Sequence, residues 1–443
     1  MRVRRKISVL MMLACGFATA VHAQDSLQIM NLTLDKAIEI ALSENPTIKV
    51  AGEEIQLKKS SRKEAILGLL PTVSLTGSYT RTIEKQTMVM NGMTFKVGVD
   101  NVYNGGLTAS LPVFAPTLYQ SIGLTKKDVE LALEKSRESK LTLVNSVSKA
   151  YYQLMLAQDS YEVLQKSYKQ SEDNYNVVNS KYEQGSVSEY DKISAEVQMR
   201  SIKPSVISAR NAVRLATLQL KVLMGVTSDI SIATQEKLND YEGQMYADLM
   251  KAREINLDGN TTLRQLDLNK QMLMKTVKLR KSAFLPTLAL SFNYVYITMA
   301  SDFKFKDYDW NPYSTVGLTF SMPLYKASNF TQLKQAKLQL SQLEYTGLNT
   351  RRQLNMQATS YIDNMSASSE QVSSNKEAVA QAQKGRVIAE KRYEVGKGTI
   401  LELNGSEVSL TQAQLTYNQS IYDFLTAKSD LDLVLGTNEQ YNK

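Results

Sequence analysis

Histidine and cysteine, the residue types best suited to nucleophilic catalysis and zinc binding, occur only near the start of the sequence. Among 443 residues there is one histidine and one cysteine, His22 and Cys15. Their surroundings are a basic start, an apolar run and the small-residue sequence Val21-His22-Ala23, which together predict a secretory signal peptide over 1–23. Its removal would leave no thiol or imidazole, which excludes cysteine nucleophiles, Ser-His-Asp triads, disulfides and most zinc sites. We therefore predict that the protein is not an enzyme.

Cys15 leaves a second processing route open, namely cleavage before a lipid-modified cysteine. The residue three positions earlier is Met12, and the apolar run continues past the cysteine. The small residues before the alternative site favour simple cleavage after Ala23.

The charge balance argues against a polyanionic partner. The chain has 52 basic and 44 acidic residues, a net charge of +8, and four of the basic residues lie in 1–23. The remaining 48 basic and 44 acidic residues give a net charge of about +4, and no basic stripe with interleaved aromatics is present. We expect no nucleic-acid partner. No run of eighteen apolar residues follows the signal, so we also predict no membrane-spanning helix there.

Three methionines are close together in the first half of the chain. Met88, Met90 and Met93 offer thioethers, which bind soft Cu(I). Because the sequence has 18 methionines, a cluster of this size carries little weight. We expect neither a metal site nor a cofactor.

The carboxylates of Asp191 and Glu402 are the ionisable groups whose positions attract attention. Each lies six residues after a glycine, and each ends a four-residue sequence that starts at Ser188 or Thr399. A hydroxyl residue followed three positions later by an acid predicts a helix N-terminal capping box. In that role the carboxylate satisfies a backbone amide and complements the helix dipole.

An internal repeat organises the chain. Residues 106–112 match 317–323, and 181–185 match 392–396, both at an offset of 211 residues. Each copy is predicted to contain a helix, two strands and a long helical hairpin. The predicted organisation is a signal peptide (1–23), a first repeat (24–226), an equatorial linker (227–246), a second repeat (247–436) and a short tail (437–443).

Glycines mark the turn of each predicted hairpin. The sequences Tyr182-Glu-Gln-Gly185 and Tyr393-Glu-Val-Gly396 are equivalent in the two copies. We predict that Gly185, Gly396 and Gly398 adopt turn conformations with positive φ, which glycine tolerates.

The longest proline-free segments predict unusually long helices. One runs from about Thr117 to Tyr182, which corresponds to roughly 100 Å at the helical rise per residue. Val147, Leu154 and Tyr161 recur every seven residues within it. This heptad pattern predicts a coiled coil, whose apolar stripes are packing surfaces.

Four segments of about ten residues alternate instead with period two. Small hydroxyl residues separate the apolar ones, which predicts strands with one apolar and one polar face. A soluble sandwich would give the same pattern for any single strand. Four such strands behind a signal peptide favour a transmembrane barrel with a wet lumen. The apolar series begin at Val73, Leu107, Leu288 and Val316.

Four strands cannot enclose a channel. An open sheet edge in lipid would leave backbone groups unpaired. We therefore expect a barrel shared between chains, although this argument does not fix the number of copies.

Taken together, these motifs resemble the TolC-like outer-membrane efflux proteins. The resemblance covers essentially the whole chain after the signal. It depends on the sequence of residues 32–37, Asn45-Pro46, the Leu-Pro-Thr strand starts at Leu70 and Leu285, and the two glycine turns.

The resemblance implies a mainly α protein with a transmembrane β-barrel. Three copies would contribute four strands each, and the barrel would continue into a long α-helical coiled-coil periplasmic tunnel. Such a homotrimer is placed in the outer membrane of a Gram-negative bacterium, in contact with its lipid. It docks on a periplasmic adaptor protein and an inner-membrane pump, and the hairpin tips around Tyr182, Gly185, Tyr393, Gly396 and Gly398 contact the adaptor. The extracellular loops would be roughly 81–101 and 300–312.

The resemblance also gives the two carboxylates a second interpretation. In the family, the position of Glu402 belongs to a ring that constricts the periplasmic entrance and favours cations, and Asp191 is its repeat equivalent. This sequence departs from the family at Gly405, where a second carboxylate is usual, and at Gly398, where a basic residue is common. Both the gate and the capping interpretation remain open at this point.

The leading functional hypothesis is an exit duct of a tripartite efflux pump that exports small molecules. A type I protein-secretion exporter of the same architecture is an alternative. A secreted structural coiled-coil protein would explain the helices but not the four alternating strands.

Overall fold

The computed structural model describes residues 29–90, 92–226, 231–252 and 254–437. The predicted signal peptide over 1–23 and nearly all of the predicted tail lie outside these residues, as do His22 and Cys15.

The described residues form eight α-helices and eight β-strands. The helices are α1 (Leu34–Glu44), α2 (Pro46–Leu67), α3 (Pro116–Glu183), α4 (Glu189–Met224), α5 (Met245–Ala252), α6 (Thr261–Ser282), α7 (Ala327–Glu394) and α8 (Ile400–Leu435). The strands are β1 (Ile29–Leu32), β2 (Thr72–Arg81), β3 (Gln86–Met90), β4 (Met93–Val97), β5 (Asn101–Phe114), β6 (Ser231–Thr234), β7 (Thr287–Ala300) and β8 (Asn311–Ser321).

Two long helical hairpins dominate the molecule. Helices α3 and α7 each have 68 residues, and α4 and α8 each have 36. Helix α3 packs against α4, α7 packs against α8, and α3 also packs directly on α8, which joins the two hairpins. The long helix predicted from about Thr117 to Tyr182 is confirmed. None of the helices in the described ranges is both long and apolar enough to span a membrane.

The main apolar core lies around the middle of the hairpins. There, Val147, Tyr151 and Leu154 of α3 pack with Ile421 and Phe424 of α8, and all five are almost completely buried. Seam positions of this kind are large and apolar, as the heptad pattern predicts.

A belt of short elements, made of β1, β6 and residues 238–252, packs against this core. Strand β1 pairs in parallel with β6, and the hydroxyl of Tyr151 donates to the Leu32 carbonyl at 3.0 Å and to Glu236 at 3.1 Å. Tyr241 donates to the same carboxylate at 2.6 Å. Burial of the two tyrosine hydroxyls beside this carboxylate raises their pKa values far above the usual range. The belt is thus hydrogen-bonded to the helical core.

Strands β2, β5, β7 and β8 form one open antiparallel sheet in the order β2-β5-β7-β8. Tyr79 lies opposite Tyr103, Leu107 lies opposite Tyr294, and Val316 lies opposite Phe292. Because residues in direct register share a face, the apolar series of all four strands lie on the same side of the sheet. Thr76, Thr108 and other small polar residues occupy the opposite side. The edges of the sheet, β2 and β8, have no further strand partner within the described chain.

The first predicted loop, 81–101, contains more structure than expected. It folds into a hairpin of β3 and β4, because its residues are mostly β-branched, aromatic or methionine. Met90 lies directly opposite Met93, and Met88 lies opposite Phe95, so the three methionines share one exposed face.

Candidate gate at the helical tips

The tips of the two hairpins are built on glycine turns. Gly185 has φ 72° and Gly396 has φ 71°, and their amides donate to the carbonyls of Tyr182 at 2.8 Å and Tyr393 at 3.1 Å. Glycine reaches this left-handed region without the strain caused by a Cβ atom. Both turns therefore have the predicted conformation.

Gly398 differs from that prediction, because its φ does not lie in the left-handed region. A Cβ added to Gly398 would lie 3.0 Å from the Cβ of Arg392 and 3.1 Å from the amide nitrogen of Tyr393. Its own amide donates to the Arg392 carbonyl at 3.0 Å. The position needs glycine for space, which the motif alone could not reveal.

Asp191 forms a complete capping box at the start of α4. Its carboxylate accepts from the Ser188 amide at 3.2 Å, and the Ser188 hydroxyl accepts from the Asp191 amide at 3.2 Å. The helix-capping interpretation that the sequence predicts is confirmed for Asp191.

Glu402 behaves differently at the start of α8. The Thr399 hydroxyl accepts from the Glu402 amide at 3.2 Å, which forms the first half of the box. Oε2 of Glu402 lies instead 3.5 Å from Nη2 of Arg392, and the same guanidinium nitrogen donates to the Lys397 carbonyl at 3.2 Å. The carboxylate is half exposed, so it remains accessible to solvent. Sequence reasoning missed Arg392, although it precedes the tip motif.

Each of the two tip tyrosines contacts a lysine, Tyr182 within its own hairpin and Tyr393 across to the other hairpin. The ammonium of Lys192 lies 4.9 Å from the ring centre of Tyr182, and that of Lys181 lies 5.1 Å from the ring centre of Tyr393. These are cation-π distances. Tyr393 also packs against a small apolar cluster made of Val178, Ala195, Ile400 and Leu403.

The hydroxyl of Tyr393 is buried and has no hydrogen-bond partner among the residues that the structure describes. Burial, with a smaller contribution from the nearby carboxylate of Asp191, raises its pKa. The predicted adaptor-contact residues thus divide into exposed glycines (185 and 396) and partly buried tyrosines that fix the turns.

No group of three or more His, Cys, Asp or Glu residues in the described part of the chain is arranged to hold a metal ion. At the tips, the acidic groups of Asp191 and Glu402 alternate with lysine and arginine side chains.

The fold defines a class of protein. A short sheet with one apolar face, continued by two very long helical hairpins, is the architecture of outer-membrane efflux channels. The chain belongs to the outer membrane efflux protein family, whose model matches residues 37–226 and 254–437. It is an outer-membrane exit duct for efflux pumps, and its family is one of channels.

Known proteins of this kind match over most of the chain. The outer membrane protein TolC of Escherichia coli (strain K12) is 23% identical over 442 residues, which cover 96% of this chain and 85% of TolC. The outer membrane protein VceC of Vibrio cholerae has a similar structure, with a TM-score of 0.73, 17% identity and coverage of 91% and 96%. The CmeC outer membrane channel of Campylobacter jejuni matches with a TM-score of 0.71, 16% identity and coverage of 91% and 85%.

Proposed function

We propose that three copies of this chain assemble into one duct, with four strands per copy in a closed transmembrane barrel. The observation that carries this proposal is the pair of open sheet edges, β2 and β8. Unpaired backbone groups at such edges are costly in lipid, and a heterologous contact that pairs β8 of one copy with β2 of the next satisfies them by closing a ring.

The helical layer supports the same contact. Helix α2 contains no buried residue, and Val50 and Leu57 on it are exposed by 68% and 57%. Helix α7 exposes Tyr345 and Met356 by 72% and 67%. Helix α2 leads into the edge strand β2, and α7 follows the edge strand β8. A ring that pairs the two edges therefore also covers the apolar side chains of these helices.

In the assembled duct, the helical hairpins extend into the periplasm. The tips at Gly185 and Gly396 face a periplasmic adaptor and an inner-membrane pump, and the cargo is a small molecule selected by that pump. Relatives described as efflux pump outer membrane proteins support this assignment. Gly398, Tyr182 and Tyr393 are partly buried and stabilise the turns that form this contact surface.

We place the narrowest part of the duct at the tips. Three copies of Glu402, with Asp191 in the neighbouring hairpin, form a ring of carboxylates that favours cations. Arg392 holds each Glu402 in place and offsets part of its charge.

Purified protein in detergent tests the proposal through its mass and its conductance. We expect a mass of three chains and cation-selective channels in planar bilayers. A monomeric species that conducts ions would contradict the shared barrel, and a trimer that never conducts would contradict the duct. A trimer that conducts but remains equally selective after Glu402→Ala would contradict the placement of the filter.

A further inference from the structure

The four helices that adjoin the large sheet are strongly basic at the ends that meet it. These ends are residues 59–67 of α2, 116–127 of α3, 268–282 of α6 and 327–343 of α7, which contain twelve basic residues and one acidic residue. When they are subtracted from the 48 basic and 44 acidic residues that follow the predicted signal, 36 and 43 remain. The helix ends beside the sheet are therefore positive, whereas the rest of the chain after the signal is negative.

All four basic segments lie at the same end of the sheet. Thr72 at the start of β2 pairs with Ser110 near the end of β5, and Thr287 at the start of β7 pairs with Ser321 at the end of β8. The helices lie side by side in the order of their strands, because α3 packs against α2 and α6, and α6 packs against α7. At the helical rise per residue, the longest segment extends roughly 25 Å from the sheet. The positive charge thus forms a band next to the sheet.

A ring contact at the start of α3 relates this band to the apolar face of the sheet. Phe114 lies opposite Leu288 on the apolar face, and its ring contacts the ring of Tyr119, with centres 6.2 Å apart. Lys126 follows Tyr119 by seven residues, which is two helical turns, so it projects from the same side of α3. This side of the band continues the apolar face of the sheet.

Lysines of α6 lie on the same side. The side chain of Lys275 runs over Gly123 of α3, where an added Cβ atom would lie 3.8 Å from Cδ and 3.9 Å from Cε of the lysine. Gly123 follows Tyr119 by one turn and shares its face. Lys278 and Lys281 follow Lys275 at successive steps of three residues, so they are its neighbours on the helix surface, and both are exposed.

The lysines on this side form no ion pair with an acidic residue of the described chain. Lys127 and Lys270 differ in this respect, because the first pairs with Glu130 at 2.5 Å and the second with Glu344 at 2.9 Å. We define the lysine collar as the four residues without such a pair, which are Lys126, Lys275, Lys278 and Lys281. Its ammonium groups are available to an anion from outside the chain.

Exposed apolar residues lie between the lysine collar and the sheet. Leu285 connects α6 to β7 and is 48% exposed, and Leu324 and Tyr325 connect β8 to α7 and are exposed by 91% and 82%. An apolar surface bordered by lysines is typical of a membrane interface. There, the lysine methylenes lie along apolar surface while the ammonium groups reach the polar headgroups.

We propose that the lysine collar binds the phosphate groups of acidic phospholipids in the periplasmic leaflet of the outer membrane. The inference rests on the proposed function, in which the sheet spans the membrane and the helices extend into the periplasm. Charge complementarity identifies the occupant, because a cluster of four or more basic residues beside a membrane-spanning segment attracts anionic headgroups. Bound headgroups fix the depth of the duct in the membrane, and therefore the reach of its hairpins into the periplasm.

Native mass spectrometry of the purified assembly tests this inference. The full protein in neutral detergent is mixed with equal amounts of phosphatidylglycerol and phosphatidylethanolamine, and the retained lipids are counted. We expect phosphatidylglycerol to be retained in preference, and a higher ammonium acetate concentration to weaken that preference through screening. Glutamine at all four collar positions should lower the affinity for phosphatidylglycerol by about fivefold per lysine and leave the binding of phosphatidylethanolamine unchanged.

Matched variants separate the position of the charge from its amount. Arginine at the four collar positions keeps the charge and should keep the preference. Glutamine at four exposed lysines outside the basic segments changes the net charge equally and should also keep it; these substitutions are Lys166→Gln, Lys203→Gln, Lys251→Gln and Lys384→Gln. If the collar variant with four glutamines fails to assemble, Lys278→Gln with Lys281→Gln tests the same site at the end of α6.

A soluble phosphate distinguishes the two sources of the anion. An excess of glycerol 3-phosphate should not displace phosphatidylglycerol, because it lacks the acyl chains that occupy the adjacent apolar surface. Equal competition by glycerol 3-phosphate would assign the lysines to a soluble phosphate and refute the lipid site.

The outcomes also separate this inference from the proposed duct. Trimers that conduct ions but show no preference for phosphatidylglycerol, or keep it with glutamine in the collar, would refute the lysine collar and leave the duct in place. A preference lost equally in both glutamine sets would reflect net charge alone and refute the collar as well. Monomers, or trimers that never conduct, would refute the duct and with it the orientation on which the collar depends.

Discussion

Nη2 of Arg392 lies 3.5 Å from Oε2 of Glu402, across the glycine turn of the second hairpin. The family resemblance leads us to expect a basic residue at the position of Gly398, but here the absence of a side chain at Gly398 provides the space that Arg392 occupies. A cation is thus brought to the tip from the end of α7 instead of from the turn.

This contact predicts that removal of the Glu402 carboxylate and removal of the Arg392 guanidinium change ion selectivity in opposite directions. Glu402→Ala should widen ion passage and lower cation preference, because it removes the carboxylate from the tip. Arg392→Ala should raise cation preference, since it leaves Glu402 without its partner. Reversal potentials in planar bilayers under a salt gradient measure both, and a shift of the same sign in the two variants would disprove the pairing.

Gly398→Ala should destabilise the tip. The added Cβ would lie 3.0 Å from Arg392 Cβ, so the turn must shift, at a cost of about 1 kcal/mol. Gly405→Ala is the control: nothing lies within 4 Å of its Cβ, and alanine in a helix should add roughly 0.5–1 kcal/mol of stability. Thermal unfolding of the purified assembly compares the two, and equal changes would contradict the packing at Gly398.

Gly436→Ala should be far more harmful. Gly436 has φ 69°, and its Cβ would lie 2.2 Å from the Gly259 carbonyl oxygen, which is main chain and cannot swing aside. We expect a loss of about 3 kcal/mol or failure to assemble. Gly347→Ala in α7, with open space around its Cβ, should assemble normally. The yield of assembled protein in the outer membrane measures the difference.

Asn260→Ala should weaken the junction between α6 and α8. Asn260 accepts from the Leu263 amide at 2.9 Å and donates to the Val434 carbonyl at 2.7 Å, so one side chain caps the start of one helix and the end of another. Loss of both bonds should cost roughly 2 kcal/mol. Asn45→Ala, which breaks the corresponding bonds in the first half, should have a similar effect in the same thermal measurement.

Glu407 on α8 is buried, and burial raises its pKa, which predicts a pH dependence of stability. A carboxyl whose pKa is higher in the folded than in the unfolded state binds protons more tightly when folded. Its contribution to stability therefore increases as the pH falls from neutrality through the raised pKa. The unfolding temperature of the unaltered chain should show this increase as the pH falls, and that of Glu407→Gln should not. Identical pH profiles would contradict the assignment.

The sequence predicted those features that local pattern controls. The long helices follow from proline-free segments with heptads, the strand faces follow from two-residue alternation, and the cap at Asp191 follows from a four-residue motif. Arg392 was missed because its contact with Glu402 depends on the path of the turn. The contact in which the Ser171 hydroxyl donates to Glu407 was missed because it joins residues more than 230 positions apart, and no local pattern indicates such a pairing.

The order of the sheet could not be predicted for a related reason. Strand β5 lies between β2 and β7, so strands from the two halves of the chain are neighbours. Alternation fixes the face on which a side chain lies but not the strand beside it. The β3–β4 hairpin was also missed, because two strands of five residues each give only a short alternating pattern.

The two open sheet edges have a consequence for biogenesis. A single copy outside the membrane carries one apolar sheet face and two unpaired edges, which are the features that promote aggregation. In the proposed trimer the edges are paired only when other copies are present, so the rate of assembly should rise steeply with the concentration of newly exported chains. The amount of duct in the membrane would then rise steeply once expression passes a threshold. Below that threshold, most chains would remain unassembled and be degraded.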